Sequence, residues 1–384
     1  MPAGPADVFD TAALRARVLD AWRASPARLR EDANAEEDAA LGAYRDRLVV
    51  ELAQNAADAA TTAGVEGRLL LRLLDDPDGG PGRLLAANTG SPLDAAGVLG
   101  LSTLRASAKR DQPTVGRFGV GFSAVLAVTD SPVIASTSGA VRFSRMRSAE
   151  LVRAVPELAD ELGRRAGHVP ALRLPFPAPD ATAPPAGYDT VVELTLKDTA
   201  ARALVEDLLT GVDDVLLLAL PQLRELVLER PDTPPLVLRD VDQRWDVLRR
   251  NGSLDPTQLL GRGSEDRTRT RFEVTWALPR TPGTRAPGIV CAPTPTDEDL
   301  PWPAVLLATF PLGPDRRRLA PGAATDAILD AAAEAYGDLL VRLAGEGRDA
   351  LALLPYGAAA GRVDAELRQR VLSRARDLPL LVAV

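Results

Sequence analysis

The chain of 384 residues has little of what metal and disulfide sites are made from. Cys291 is its one cysteine, so no internal disulfide can form, and it reads as a small buried side chain. His168 is its one histidine, which excludes a zinc site of clustered Cys and His. No stretch approaches the roughly 20 apolar residues needed to span a bilayer. No charged segment followed by an apolar run opens the chain, as a signal peptide would. These absences predict a cytoplasmic protein. Net positive charge is also missing: a formal charge of -8 argues against a nonspecific grip on DNA or RNA. The basic residues are nearly all arginine, with Lys109 and Lys197 the only lysines, so a single arginine carries little information.

What is present is globular. The apolar share of 46% and charged share of 26% are ordinary, and the length suits two domains. Patterning predicts helices over 11–30 and 41–63, the second with Leu41, Tyr44, Leu48, Leu52 and Ala56 at helical spacing. Strands are expected at 68–74 and 84–87, around a turn at 75–82 rich in Asp, Pro and Gly. A Gly- and Ser-rich segment covers 88–121, and a helix follows through Val128. A hairpin (133–136 and 141–143), a Pro- and Ala-rich loop (169–188), a strand (190–196) and a helix (199–218) come next. Beyond lie strands at 226–228, 236–238, 269–278 and 304–310, and a helix over 325–344. The expected domains are 1–205 and 206–384. The apolar run 378–384 is expected to need a partner strand, as if the chain were the first part of a longer polypeptide.

Three pieces in a fixed order carry chemistry. The first is Glu51-Leu-Ala-Gln-Asn55-Ala-Ala-Asp58. On a helix Glu51 and Asn55 share a face, with Asp58 nearby. An Asn oxygen plus phosphate oxygens can hold magnesium, and a carboxylate beside it can orient or deprotonate a water. Alone, the piece reads equally as a solvated polar face. The second is Asn88-Thr89-Gly90, directly after a strand. A carboxamide there can recognise an adenine edge, and Gly90 lets the backbone approach a base; alone, it is a plain turn. The third is Gly116-Arg117-Phe118-Gly119-Val120-Gly121-Phe122, running into an apolar helix. Glycines before a helix start expose N–H groups to an anion. Upstream, Ser107 and Lys109 supply a hydroxyl and an ammonium that could neutralise phosphate.

Together and in this order, the pieces resemble the signature of the GHKL superfamily of ATP-binding proteins. They are most similar to the nucleotide-binding region of sacsin and of the ninety-kilodalton heat-shock chaperones. Thr190, opening a late strand in Tyr188-Asp-Thr-Val-Val-Glu-Leu, matches the threonine that lies under adenine in that superfamily. The run Val115–Phe122 and the later Thr129-Asp-Ser-Pro132 look like the lid-end motifs of sacsin-type chains. The likeness covers about 40–200.

The resemblance implies a Bergerat-type α/β sandwich: a mixed, mostly antiparallel sheet covered by helices on one face, followed by a second α/β domain. It implies ATP and Mg as cofactors, a mobile lid over about 91–118, and slow hydrolysis driving a chaperone-like conformational cycle on a client protein. A homodimer is compatible with it. Glu51 would be the general base and Asn55 the Mg ligand. Asn88, Gly90 and Thr190 would hold adenine, and Gly116, Gly119 and Gly121 the phosphates. Arg317 and Arg318, in a loop after a strand, look like the segment that feeds a basic residue to the γ-phosphate.

This chain departs from the chaperones in carrying Asn88 for their aspartate and Pro92 for a glycine. A neutral acceptor holds the adenine amino group less strongly, so affinity is expected to be weak. The alternative function is a nucleotide-sensing interaction module with little hydrolysis. A histidine kinase would need a phosphoacceptor upstream of the ATP domain, and His168 lies inside it. A topoisomerase or repair role would call for a basic DNA-tracking surface.

Overall fold

The computed structural model describes residues 7–41, 45–102, 120–262, 266–268, 270–281, 284–313 and 317–380. The chain is α/β and forms two compact units, residues 1–239 and 240–384. Among the described residues no helix is long and apolar enough to cross a membrane.

The helices of the first unit are α1 (Thr11–Ala24), α2 (Pro26–Leu41), α3 (Leu48–Ala63), α4 (Ala95–Ser102), α5 (Arg145–Arg153), α6 (Ala159–Arg164), α7 (Thr199–Thr210) and α8 (Asp214–Ala219). Its strands are β1 (Gly67–Leu74), β2 (Arg83–Asn88), β3 (Val133–Ser136), β4 (Gly139–Arg142), β5 (Phe176–Pro177), β6 (Thr190–Thr195), β7 (Leu223–Arg230) and β8 (Thr233–Arg239). They make one sheet in the order β5-β4-β3-β6-β2-β1-β7-β8. Every neighbouring pair is antiparallel except β1 and β7, which run parallel. That parallel pairing explains why the first unit extends past the border expected at 205. The segment α7–α8 is the crossover that returns the chain to the sheet beside β1, and β8 follows as a hairpin partner.

Strand alternation separates the two faces of this sheet. Leu70, Leu85, Ala87, Ala135 and Val191 pack on one face, against Ala181 and Tyr188 of the Pro-rich loop. The opposite face carries Leu69, Leu71, Leu84, Ala86 and Leu194, all buried, and α3 lies across it. The α3 side chains that reach inward are Leu48, Val49, Leu52 and four alanines, which let the helix sit low on the strands. Farther out, Trp22 and Leu29 of the first two helices pack on Ala149, Val152, Leu158 and Leu162. The single helix expected over 11–30 is broken at Ser25, because Pro26 removes an N–H and starts α2 afresh.

The second unit holds α9 (Val241–Arg244), α10 (Ala323–Gly345), α11 (Arg362–Ala375) and a sheet ordered β12-β11-β13-β10-β9. Its strands are β9 (Trp245–Ser253), β10 (Arg271–Pro279), β11 (Ile289–Cys291), β12 (Pro295–Asp299) and β13 (Val305–Ala308). Cys291 is buried, as expected. Trp276, Trp302 and Tyr336 meet at ring-centroid distances of 4.6–5.5 Å. Each aromatic tip finds an acceptor: Trp276 donates to the Ala332 carbonyl, Tyr336 to the Leu353 carbonyl, and Trp302 to Asp364 Oδ1.

Asp364 is fully buried and also accepts from Arg368 Nε at 2.6 Å and from the Ala360 N–H at 2.8 Å. Burial pushes its carboxyl up, but these three donors outweigh it and hold the group below the usual aspartate range. A carboxylate depressed in the folded state adds stability that is present above the unfolded value and is lost as pH falls. The second unit is therefore expected to lose stability as pH drops below about 4. Replacing Asp364→Ala, which strands the buried Arg368, should cost about 3–5 kcal/mol in urea denaturation at neutral pH and flatten that acid dependence. A cost under about 1 kcal/mol would show that Asp364 is not the organising acceptor.

Candidate functional site

The polar stripe of α3 sits where the helix leaves the centre of the sheet. Glu51 and Asn55 are half-buried on it, and Asp58, one turn on, is exposed. Glu51 Oε1 lies 3.4 Å from Arg47 Nη2, a cation on the residue just before the helix. The segment Val120–Ala127 forms a 3-10 helix that packs across α3, rather than a regular α-helix. It brings Gly121 directly onto Glu51: a Cβ at Gly121 would overlap Oε2 of the carboxylate. The first and third sequence pieces, 70 residues apart in numbering (121 minus 51), thus meet in space. Phe122 next to it is buried in the core.

The second piece closes on the same helix. Asn88 ends β2 and pairs in register with Thr190, which opens β6; Thr190 in turn pairs with Ser136 of β3. Asn88 shares the α3 face of the sheet with Leu69, its partner on β1. Gly90 adopts φ +126°, and a Cβ there would come within 2.6 Å of the Ala60 backbone nitrogen in α3. Ser91 N–H donates to the Ala59 carbonyl at 3.0 Å, seating the strand-end loop on the helix. Only glycine fits this position, by conformation and by space.

Buried polar atoms near these elements without a hydrogen-bond partner among the described residues include Asn55 Nδ2, Ser123 Oγ and Thr190 Oγ1. A buried polar group left unmet costs about 1–3 kcal/mol. Asn88 Nδ2, by contrast, donates to the Thr89 carbonyl at 3.1 Å.

One organising residue escaped the sequence reading. Asp189 Oδ2 accepts from the Gly90 N–H at 2.8 Å, its own N–H donates to the Asn88 carbonyl, and its carbonyl accepts from Thr137. It ties the ends of three strands together. Its only sequence signal was its place before Thr190, and its partner Gly90 is 99 residues away.

Other expected residues are placed as follows. Ser107, Lys109, Gly116, Arg117, Phe118 and Gly119 lie outside the described residues, and of Val120 only the backbone is described. Arg317 and Arg318 belong to the second unit, where Arg317 Nε pairs with Asp297 Oδ2 at 3.1 Å and the Arg318 carbonyl accepts from Gly313. The expected Thr129-to-Pro132 motif makes a tight turn: Thr129 Oγ1 accepts from Ser131 N–H, and Asp130 pairs with Arg145 at 2.8 Å.

Among the described residues no cluster of three or more His, Cys, Asp or Glu could enclose a metal ion. A divalent cation at α3 would have to take an Asn55 oxygen and complete its shell with phosphate oxygens and water, which is what magnesium prefers. No protein-family model matches this chain, and no curated protein matches it either.

The unpartnered Thr190 hydroxyl makes a sharp expectation. Thr190→Val removes a buried group with no bond to lose among the described residues, so unfolding stability should be unchanged or raised by up to about 1 kcal/mol. A loss above about 2 kcal/mol would mean that the hydroxyl is bonded within the fold. Gly90→Ala should instead lower stability by about 2 kcal/mol or more, since it is strained in conformation and collides with the α3 backbone.

Proposed function

We propose that the first unit binds an adenine nucleotide with magnesium and hydrolyses it slowly, in a Bergerat-type site like that of the sacsin and heat-shock chaperone relatives it resembles. The observation that carries this reading is convergence. Glu51, Asn55, Gly90, Gly121, Asn88 and Thr190 come from three separated sequence pieces and one strand, and all gather around α3 and the ends of β2 and β6. A solvated helix face, a turn and a mobile glycine loop would have no reason to meet.

Unmet buried donors and acceptors at Asn55 and Thr190 support a ligand with polar edges lying between helix and strand ends. Magnesium, when bound, would neutralise phosphate charge and polarise the terminal phosphoryl group. The chain's own part is simpler. Asn55 offers an amide oxygen to the cation. Thr190 offers its hydroxyl and Asn88 its carboxamide to the base. Glu51 accepts a proton from the attacking water. The conformational output would be a chaperone-like cycle acting on a client protein.

Calorimetric titration of the full chain with ATP, ADP and GTP, with and without magnesium, tests the reading. Magnesium-dependent binding of adenine nucleotides is expected. No binding at millimolar nucleotide would overturn it. Glu51→Ala should keep nucleotide binding and lower turnover by roughly 10²–10⁴-fold. Unchanged binding with no turnover in the unsubstituted chain would instead favour the nucleotide-sensing module. Thr190→Val should weaken nucleotide binding by up to about tenfold.

A further inference from the structure

An aspartate has two alike oxygens, whereas the carboxamide of Asn88 has two unlike ends. One accepts and the other donates, so its use to a base depends on which way round it is held. Adenine presents an amino donor where guanine presents a carbonyl acceptor.

One peptide plane sets the amide. Asn88 Nδ2 donates to the Thr89 carbonyl at 3.1 Å. Turning the amide over would set its oxygen against that carbonyl oxygen, acceptor against acceptor. The Thr89 carbonyl and the Gly90 N–H belong to the same peptide unit, and in a planar trans peptide they point in opposite directions. That N–H donates to Asp189 Oδ2 at 2.8 Å. Holding the N–H end therefore aims the carbonyl end at Asn88. Gly90, at φ +126°, has no Cβ to hold the plane by sterics.

The adjoining N–H groups are held by main chain: Thr89 donates to the Arg68 carbonyl at 3.1 Å and Ser91 to the Ala59 carbonyl at 3.0 Å. Of the three, Gly90 alone donates to a side chain, and an ionised acceptor makes the stronger bond. The Asp189 N–H also donates to the Asn88 carbonyl at 2.9 Å, so one residue grips the turn on both sides of Thr89.

We propose that Asp189 is a specificity-determining positioning residue: by fixing the Thr89–Gly90 peptide it holds Asn88 with its oxygen toward the base, and so selects adenine over guanine. The proposal rests on the nucleotide-binding reading above. Asp189 acts through Asn88 and not by a contact of its own with the base. Without it the peptide plane can turn, the amide can turn over, and Nδ2 can donate to the guanine carbonyl.

The test is calorimetric titration of the full chain with MgATP and with MgGTP. The unsubstituted chain should prefer ATP by about tenfold or more. Asp189→Ala should raise the Kd for ATP by about three- to tenfold while the Kd for GTP stays level or falls. A purely structural loosening of the strand ends would instead raise both constants by the same factor. Asp189→Asn keeps an oxygen for the Gly90 N–H and should keep the preference within about twofold. If Asp189→Ala does not fold, Asp189→Ser, whose hydroxyl stops one bond short, takes its place with the same expected shift. An equal change in both constants, no change in either, or as full a loss of preference in Asp189→Asn would overturn the role while leaving nucleotide binding intact. An unsubstituted chain that binds ATP and GTP alike would overturn it too. A chain that binds neither at millimolar nucleotide would overturn the nucleotide reading, and this role with it.

Discussion

The close seat of α3 on the sheet is the constraint from which the rest of the first unit follows. Four buried alanines keep the helix low, and two glycines let backbone approach it from the strand side. Gly67 leaves no room for a side chain between Gln222 and Ala60, and Gly90 meets the Ala59–Ala60 backbone itself. A larger residue at either place would lift the helix and separate its polar stripe from the strand ends. Packing of this density transmits such changes rather than absorbing them. The stripe that carries Glu51 and Asn55 is therefore positioned by small residues that have no chemistry of their own.

Polar satisfaction divides the two units. In the second, buried polar tips are matched: three aromatic donors and Asp364 all have partners. Every unpartnered buried side-chain atom among the described residues falls in the first. Not all of these mark the site, since Ser148, Arg165 and Arg173 are among them and lie outside the α3 site. Arg173 is compensated by charge rather than by hydrogen bonds, with Asp32 at 3.5 Å. Orphaned atoms acquire meaning at Asn55 and Thr190 because both belong to elements that the glycine contacts and the strand register bring to α3. A buried polar group there is expensive unless something completes it.

Electrostatics at the site has a matching logic. A carboxylate on the first turn of a helix is favoured by the helix dipole, and a neighbouring arginine favours it further. Arg47 and the bare Cα of Gly121 lie beside separate oxygens of the same residue.

Much of this was legible in the sequence. Local patterning located β1, β2, β3 and β6 to within a residue or two, and helical spacing located α10 and the body of α3, although the helix expected from 41 starts only at Leu48 and Leu41 closes α2. The pieces around Glu51, Asn88 and Gly121 could be named from residue type and order alone. Other features could not be read. α4 was hidden in a glycine-rich run, and β9 and α11 lacked a clean period. The border between the units depends on β7 lying parallel to β1, over 150 residues away in sequence (223 minus 67 is 156). Asp189 acts on Gly90 across 99 residues, and Gly121 on Glu51 across 70 (121 minus 51). The sequence by itself determined which residues could do chemistry and which short segments would be helix or strand. Only tertiary structure decided which of them touch, because register, close backbone approach and ion pairing are long-range contacts whose free energy exists only once the chain has closed.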